Sequence, residues 1–232
     1  MNRKHEQDRF AGEEYELFKL ACPHYDEFQT MIAQQITERF QNKNIKIVEI
    51  GCAEGYTTRK ILEMNPKSTV YAIDNDKART ALARQMLRRY HGRVHVEQID
   101  ALEGIKALTS GSIDAFATGF TIHNFPETYR RQILSESYRI LTPGGIFVNG
   151  DKYARADSAE HQADLEWQME QFNIFEQINR PDLKELWTAH NLEDDNIAMK
   201  EDESKETMRI IGFKNIRTVY RNHMEAVITA EK

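Results

Sequence analysis

The stretch that decides the fold is IKIVEIGCAEGYTTRKILEM, residues 45–64. It begins with IKIVEI (45–50), a short and nearly continuous apolar run that is typical of a strand buried on both faces. GCAEG (51–55) follows as a glycine-bearing turn, and a helix is predicted over about 56–64. A strand, a glycine turn and a helix in this order predict the first unit of an α/β sheet.

The same alternation continues along the chain. Further strands are predicted at 68–73, 93–99, 113–118 and 145–150, and helices at 26–40, 76–90, 101–108 and 127–141. Strand alternating with helix is the pattern of a parallel sheet with helices on both faces. Residues 157–210 have an almost wholly helical pattern, and two alternating runs at 215–221 and 224–230 predict a hairpin.

Composition excludes several classes of protein. Of the 232 residues, 40% are apolar and 29% charged, which is the balance of a soluble globular chain. No apolar run approaches the ~18 residues of a membrane-spanning helix. Cys22 and Cys52 fit neither a disulfide framework nor a cysteine zinc site, so we expect no metal and a cytoplasmic location. The net charge of −6 argues against a nucleic-acid partner.

Acidic residues stand at the ends of three successive predicted strands. Glu49 comes just ahead of the glycine turn, Asp74 ends the second strand and Asp100 follows the third. Asp76 is better placed to cap the next helix, which would leave Asp74 to a ligand, although Asp74 could itself be a helix cap. Since the carboxyl ends of parallel strands share one sheet edge, these acids predict a polar crevice. The competing interpretation is that the glycines only make a tight turn.

These residues resemble the class I S-adenosylmethionine-dependent methyltransferases. Residues 49–55 are similar to the E/D-x-G-x-G-x-G motif of that family, with Ala53 for the middle glycine, and 112–127 and 139–151 resemble two further family segments. The resemblance implies S-adenosylmethionine as cofactor. It also implies an α/β, Rossmann-like fold with a mostly parallel seven-stranded sheet, a C-terminal antiparallel hairpin and a helical cap.

The resemblance also implies a set of site residues. The cofactor-binding residues would be Tyr25, Glu49, Gly51, Cys52, Ala53, Gly55, Asp74, Asn75, Asp100, Ala101, Thr118 and Gly119. His123, just beyond the fourth strand, is the candidate catalytic base, because histidine titrates near neutral pH. Its alternative role is packing or anchoring of the loop.

The predicted organisation is an N-terminal helical segment (1–44) followed by the cofactor-binding domain (45–232), with the helical cap inserted at 152–210. By their position the cap and the N-terminal helix can close over the crevice and select the substrate. Five aromatic or histidine side chains could then line a substrate pocket, or could be core residues of the cap: Tyr153, Trp167, Phe172, Trp187 and His190. An exposed cap and an edge hairpin are compatible with a homodimer.

Three functions remain open. The first is methyl transfer from S-adenosylmethionine to an oxygen, nitrogen or carbon atom of a small molecule. The second follows from CPHYDEF (22–28) and GFTIHNF (119–125), which look most like the branch that contains the carboxy-S-adenosylmethionine synthase of tRNA wobble-uridine modification. That synthase uses an arginine in its C-terminal helical region, and this chain has none between Pro181 and Arg209, which favours ordinary S-adenosylmethionine. The third is a catalytically silent subunit that binds the cofactor or a partner protein.

Overall fold

The computed structural model describes residues 17–195 and 197–232. Its strands are β1 Ile45–Ile50, β2 Ser68–Asp74, β3 Val94–Gln98, β4 Ile113–Gly119, β5 Leu141–Ala154, β6 Met199–Lys200, β7 Lys214–Asn222 and β8 Glu225–Glu231. Within these described residues they form an 8-stranded sheet in the order β3-β2-β1-β4-β5-β8-β7, with β6 paired to β5 off this path.

The direction of the strands confirms the predicted topology. β1 pairs in parallel with β2 and β4, β2 with β3, and β4 with β5. β8 pairs antiparallel with both β5 and β7, so the predicted C-terminal hairpin closes one side of the sheet. The two-residue strand β6 is an addition that the sequence pattern did not predict.

Helices cover both faces of the sheet. They are α1 Tyr25–Phe40, α2 Tyr56–Met64, α3 Lys77–Met86, α4 Ala101–Lys106, α5 Glu127–Ile140, α6 Ser158–Gln171, α7 Ile174–Gln177, α8 Pro181–Asp195 and α9 Glu201–Ile211. Buried apolar residues of α1, α2 and α3 pack together on one face, and those of α4, α5 and α9 on the other. The result is the three-layer arrangement expected for an alternating α/β chain.

The fifth strand is longer than the sequence predicted. Instead of beginning at 145, it starts at Leu141 directly after α5, and it continues to Ala154. Ile113 pairs with Leu141 whereas Ala115 pairs with Ile146, so the TPGG segment forms an irregularity within the strand and not a separate loop. Gly144 has a φ of 80°, which a glycine adopts at little cost.

The cap is a third cluster that joins α6, α7 and α8 to the start of the described chain. Phe18 packs on Trp187 with ring centroids 4.2 Å apart, and Phe172 and Phe175 are fully buried beside them. Because β5 runs to Ala154, the helical part of the cap begins at Ser158 rather than at 152. The predicted domain boundaries themselves remain a prediction. No helix in the described part of the chain has the length and apolar composition needed to cross a membrane.

Candidate functional site

A cavity of about 220 Å³ lies beyond the carboxyl ends of the central strands. Eight of the predicted cofactor-binding and catalytic residues line it: Gly51, Ala53, Asp74, Asn75, Asp100, Ala101, Gly119 and His123. They lie at or just beyond the ends of β1, β2, β3 and β4, where open α/β sheets place their ligands. The sheet topology thus brings residues from four distant parts of the sequence to one hollow.

The turn after β1 is shaped so that only a glycine fits at its first position. Gly51 has a φ of 66°, and a Cβ added there would lie 2.1–2.8 Å from side-chain atoms of Thr121. Ala53 has a φ of 44°, a left-handed conformation that is costly for a residue with a Cβ. The backbone N–H of Ala53 donates to Oδ2 of Asp74 over 2.9 Å, which holds the turn against the end of β2.

The sequence suggested that Asp74 is free for a ligand, but its carboxylate already accepts two hydrogen bonds from the backbone. Its Oδ2 accepts from Ala53, and its Oδ1 accepts from the backbone N–H of Asp76 at 2.9 Å. Asp76 is the N-cap of α3, as predicted, and accepts from the N–H of Arg79. Burial raises the pKa of Asp74, and the two backbone N–H groups partly oppose this effect. Each carboxylate oxygen can accept a further hydrogen bond, and Asp74 is part of the cavity wall.

Asp100 has two structural contacts as well as a place in the cavity wall. It is the N-cap of α4, where its side chain accepts from the N–H groups of Leu102 and Glu103. Both of its carboxylate oxygens also lie 2.8 Å from the hydroxyl of Tyr129, which lines the same cavity. Burial, followed by the contact with Asp100, raises the pKa of Tyr129 to about 12, so this hydroxyl is a donor at neutral pH.

Glu49 lies behind the cavity wall rather than in it. Its side chain is 1% exposed, and Oε2 accepts from the hydroxyl of Thr58 at 2.5 Å. Burial raises the pKa of Glu49 to about 8, and the charge of Asp74 adds to this effect. The expectation that all three acids share one hollow therefore needs correction. Asp74 and Asp100 line the cavity, whereas Glu49 supports the turn from beneath.

Four other predicted cofactor residues are also absent from the wall. Cys52, Gly55 and Thr118 are buried beneath the turn and the sheet edge, and Tyr25 stacks on Phe120, with ring centroids 6.3 Å apart. Burial raises the pKa of the Cys52 thiol, so the group stays protonated, and the backbone N–H of Cys52 donates to Ile73. These positions shape the site from behind, and only Phe120 of the Tyr25 pair reaches the cavity.

The opposite end of the cavity contains a buried histidine–carboxylate pair. Nδ1 of His123 lies 2.5 Å from Oδ1 of Asp151, a residue of β5 that is completely buried. The backbone N–H of His123 donates to Oδ2 of the same carboxylate at 3.2 Å. On the cap side, Nε2 of His123 lies 3.7 Å from Oδ2 of Asp194. The candidate base is thus fixed in orientation and lines the cavity.

Helix α8 provides the cap side of the cavity wall. Its contributions are Trp187, His190, Glu193 and Asp194, which recur at the spacing of one helix face. Three other aromatic candidates lie elsewhere: Tyr153 and Phe172 are buried, and Trp167 stacks on His223 with centroids 3.8 Å apart. Lys152 also lines the cavity, and its ammonium donates to Oδ1 of Asn191 over 2.9 Å.

Residues 47–145 match the family model described as a methyltransferase domain. The chain contains a methyltransferase domain. This confirms the family resemblance seen in the sequence, and the match covers the strands and turns that form the base of the cavity. The methyltransferase domain ends within β5, so α6 to α9 and the terminal hairpin lie beyond the matched residues.

Two curated relatives of this chain have the same name. The carboxy-S-adenosyl-L-methionine synthase of Actinobacillus succinogenes is 26% identical over 155 residues, which are 65% of this chain and 62% of the relative. The synthase of the same name from Campylobacter fetus is 23% identical over 201 residues, 87% of this chain and 82% of the relative. This chain therefore spans about three fifths of the length of the first of these relatives.

Several solved structures with the same fold are named methyltransferases. The CurJ carbon methyltransferase has a TM-score of 0.63 and 19% identity, and the match covers 88% of this chain and 53% of that one. A SAM-dependent methyltransferase from Aquifex aeolicus has a TM-score of 0.59 and 16% identity, covering 95% and 98%. At these identities the likeness establishes the fold, which is the Rossmann-like methyltransferase fold expected from the sequence.

Several residues of the site were missed in the sequence. Tyr129, Asp151, Lys152 and Asp194 had no assigned role, although Asp151 belongs to a segment already recognised as similar to the family. Its place directly after the predicted strand 145–150 was the available signal for a partner of His123. Nothing in the local sequence places Tyr129 or Asp194 at the cavity, because both reach it only through the packing of α5 and α8.

Proposed function

We propose that this protein is an S-adenosylmethionine-dependent methyltransferase that acts on a small-molecule acceptor. The observation that supports this most is the shared cavity wall of Asp74, Asp100 and His123. The two aspartates offer acceptor oxygens for hydroxyl and amino groups of a nucleoside, and the histidine lies at the other end. The activity and the acceptor are our inference for this chain.

The residues present fit the cofactor. Gly51 lines the cavity, and its lack of a side chain lets Thr121 pack directly against the turn, where any Cβ would strike it. Asp74 can accept ribose hydroxyls with the acceptor sites that its two backbone contacts leave over. Beside Asp100, the rings of Phe125 and Tyr129 line the cavity with centroids 4.7 Å apart, which suits a flat base.

The order of the strands separates the two ends of the reaction site. S-adenosylmethionine supplies, when bound, a methyl group on a sulfonium sulfur that is activated toward a nucleophile. Asp74 ends β2 and His123 follows β4, and β1 lies between these strands. Neighbouring strands are about 5 Å apart, so the two residues stand roughly 10 Å from each other across the sheet edge. A nucleoside at Asp74 thus leaves room for an acceptor beside His123.

The cap supports a small acceptor rather than a macromolecular one. Phe18 and Trp187 contact each other and both line the cavity, so the N-terminal segment and α8 meet over the site. An enclosed site excludes water and fixes the approach of the acceptor, which is most of what methyl transfer requires of a protein. His123, fixed by Asp151, is the group that can take a proton from the acceptor.

The names of the curated relatives favour a second candidate, a carboxy-S-adenosylmethionine synthase. Such an activity needs a cation for the additional carboxylate. At the His123 end of the cavity, Lys152 could serve as this cation, but its ammonium already donates to Asn191. Two carboxylates, Glu193 and Asp194, line the same wall. Carboxylates repel a further negative charge, and lysine lacks the bidentate geometry of arginine, so ordinary S-adenosylmethionine is favoured.

The test is a calorimetric titration of the protein with S-adenosylhomocysteine, together with mass spectrometry of any ligand retained on purification. We expect binding by the wild type and a loss of affinity of about tenfold or more in Asp74→Asn, since a hydrogen bond to a charged group is replaced by a weaker one. No binding by the wild type would overturn the proposal. A retained ligand with the mass of the carboxylated cofactor would favour the second candidate.

A further inference from the structure

We infer that the acceptor of this methyltransferase is an amine, held between Nε2 of His123 and the carboxylate of Asp194. The inference rests on the proposed function, because it names the substrate class of the same site. Its starting point is the pair of atoms that face each other there, Nε2 of His123 and Oδ2 of Asp194, 3.7 Å apart.

The hydrogen-bond partner of His123 determines which ring nitrogen carries the hydrogen. Nδ1 lies 2.5 Å from Oδ1 of Asp151, and a carboxylate can only accept, so in the neutral ring the hydrogen is on Nδ1. Nε2 then has a lone pair and acts as an acceptor. The side chain of His123 is 8% exposed, so bulk water has little access to this atom.

Both atoms at the gap are therefore acceptors. Oδ2 of Asp194 is buried and has no hydrogen-bond partner within the described residues, although Nε2 of His190 lies 3.3 Å away. Two facing acceptors repel each other unless a group donates hydrogens to both. A hydroxyl has one hydrogen to give, whereas a primary amine or ammonium has two or three. The spacing of 3.7 Å lets one nitrogen reach both atoms at hydrogen-bond distance.

The surrounding wall also favours a cation. Glu193 adds a second carboxylate from α8, and Phe18 and Trp187 add aromatic faces. Carboxylates and aromatic faces both attract ammonium groups, and a site with these groups disfavours a carboxylate or phosphate acceptor. Lys152 is a positive charge in the same wall, and its ammonium donates a hydrogen bond to Oδ1 of Asn191.

The proton balance of the reaction follows from the same contacts. An ammonium acceptor gives one proton to Nε2 of His123, and Asp151 stabilises the imidazolium that results. The nitrogen lone pair that is exposed forms the new N–C bond to the methyl group, while the C–S bond breaks and its electron pair stays on sulfur. The methylated ammonium remains beside Asp194, and His123 later releases its proton to solvent.

The experiment measures ligand preference without turnover. The protein saturated with S-adenosylhomocysteine is titrated with three matched sets of probes, the phenylethyl, indolylethyl and butyl compounds, each as amine, alcohol and carboxylate. We expect the amine of at least one set to bind about tenfold or more tighter than its alcohol and its carboxylate. Asp194→Asn should abolish this preference while its affinity for S-adenosylhomocysteine stays within about twofold of the wild type.

The matched control is Asp195→Asn, the same change one residue along α8, where the carboxylate contacts His161 at 2.7 Å. It should keep the preference for amines. The inference is overturned if no amine binds, if an alcohol or carboxylate binds equally well, or if Asp194→Asn keeps the preference. In each of these cases, intact binding of S-adenosylhomocysteine would leave the proposed function standing, whereas its loss in the wild type would remove both.

Discussion

Nδ1 of His123 lies 2.5 Å from Oδ1 of Asp151, which links the turn after β4 to the neighbouring strand β5 inside the protein. Asp151 is completely buried, and it also accepts from the backbone N–H of His123 and from that of Lys152. One carboxylate thus fixes the position, the orientation and the tautomer of the imidazole. The acceptor end of the cavity is built around this contact.

The tautomer of His123 provides the first prediction. In two-bond ¹H–¹⁵N correlation spectra at neutral or mildly alkaline pH, we expect the His123 ring to be protonated on Nδ1, because Asp151 accepts there. Replacing the carboxylate by an amide in Asp151→Asn should shift the ring toward a mixture of tautomers. His95, an exposed residue of β3, gives the reference signal of an imidazole outside the site. An Nε2-protonated ring in the wild type would contradict this description.

The second prediction separates binding from helix capping at Asp100. Asp100 and Asp157 are N-caps that each accept from the N–H groups two and three residues later. Substitution of either by alanine should cost about 1 kcal/mol in the free energy of unfolding. Asp100→Ala should also weaken S-adenosylhomocysteine binding by about tenfold.

Asp157 lies outside the cavity wall, so Asp157→Ala should bind S-adenosylhomocysteine as the wild type does. Thermal denaturation and calorimetric titration of the two variants check both effects. Equal affinities in the two variants would show that Asp100 is only a cap.

The third prediction concerns the first glycine of the turn. Gly51 and Gly92 both have left-handed backbone conformations, with φ of 66° and 86°. A Cβ on Gly51 would meet Thr121, whereas one on Gly92 would meet nothing within 4 Å. Gly92→Ala should therefore cost only the backbone penalty of about 1–2 kcal/mol.

Gly51→Ala adds the collision to the same backbone penalty, so it should lower the free energy of unfolding by roughly 1–3 kcal/mol more than Gly92→Ala. Urea denaturation of both variants measures the difference. A similar loss in the two variants would mean that the turn can move away from Thr121.

The fourth prediction is a pH dependence that arises from Glu49. Burial raises its pKa from 4.5 to about 8, so between these values the folded protein holds a proton that the unfolded chain has lost. The free energy of unfolding should consequently fall as pH rises through this window, by up to about 1.4 kcal/mol per pH unit. Glu49→Gln removes this dependence and should gain stability relative to the wild type as pH rises from about 5 to 8.

The exposed strand residue Glu97 provides the matched control for Glu49. Glu97→Gln should leave the slope of stability against pH unchanged. Denaturation at several pH values gives the free energy of unfolding as a function of pH for each protein. If this dependence were the same for Glu49→Gln and the wild type, the raised pKa of Glu49 would be contradicted.

The sequence predicted the sheet but only part of the site. Residues 45–50, 113–118 and 215–221 are short runs whose strand character follows from local pattern, and all three appear as strands. The first two are largely buried, as their apolar composition predicts. Asp74 and Asp100 were found because the end of a parallel strand is a position that the pattern itself defines.

What the sequence could not give depends on packing between distant elements. Glu49 was expected to face the crevice, but it points beneath the turn, where Thr58 of α2 donates to it. Asp194 reaches His123 only because α8 packs beside β5 and the turn after β4, where Lys152 donates to Asn191 of α8. No spacing in the chain encodes either contact.

We expect Asp74 and Asp100 to hold a nucleoside whose attached sulfur points toward His123. A crystal structure of the protein with S-adenosylhomocysteine tests it most directly. We predict ribose hydroxyls on the Asp74 carboxylate, the base between Asp100 and Phe125, and the sulfur on the side of the cavity lined by His123 and Asp194. A nucleoside bound elsewhere, or one with its sulfur turned away from His123, would contradict the account.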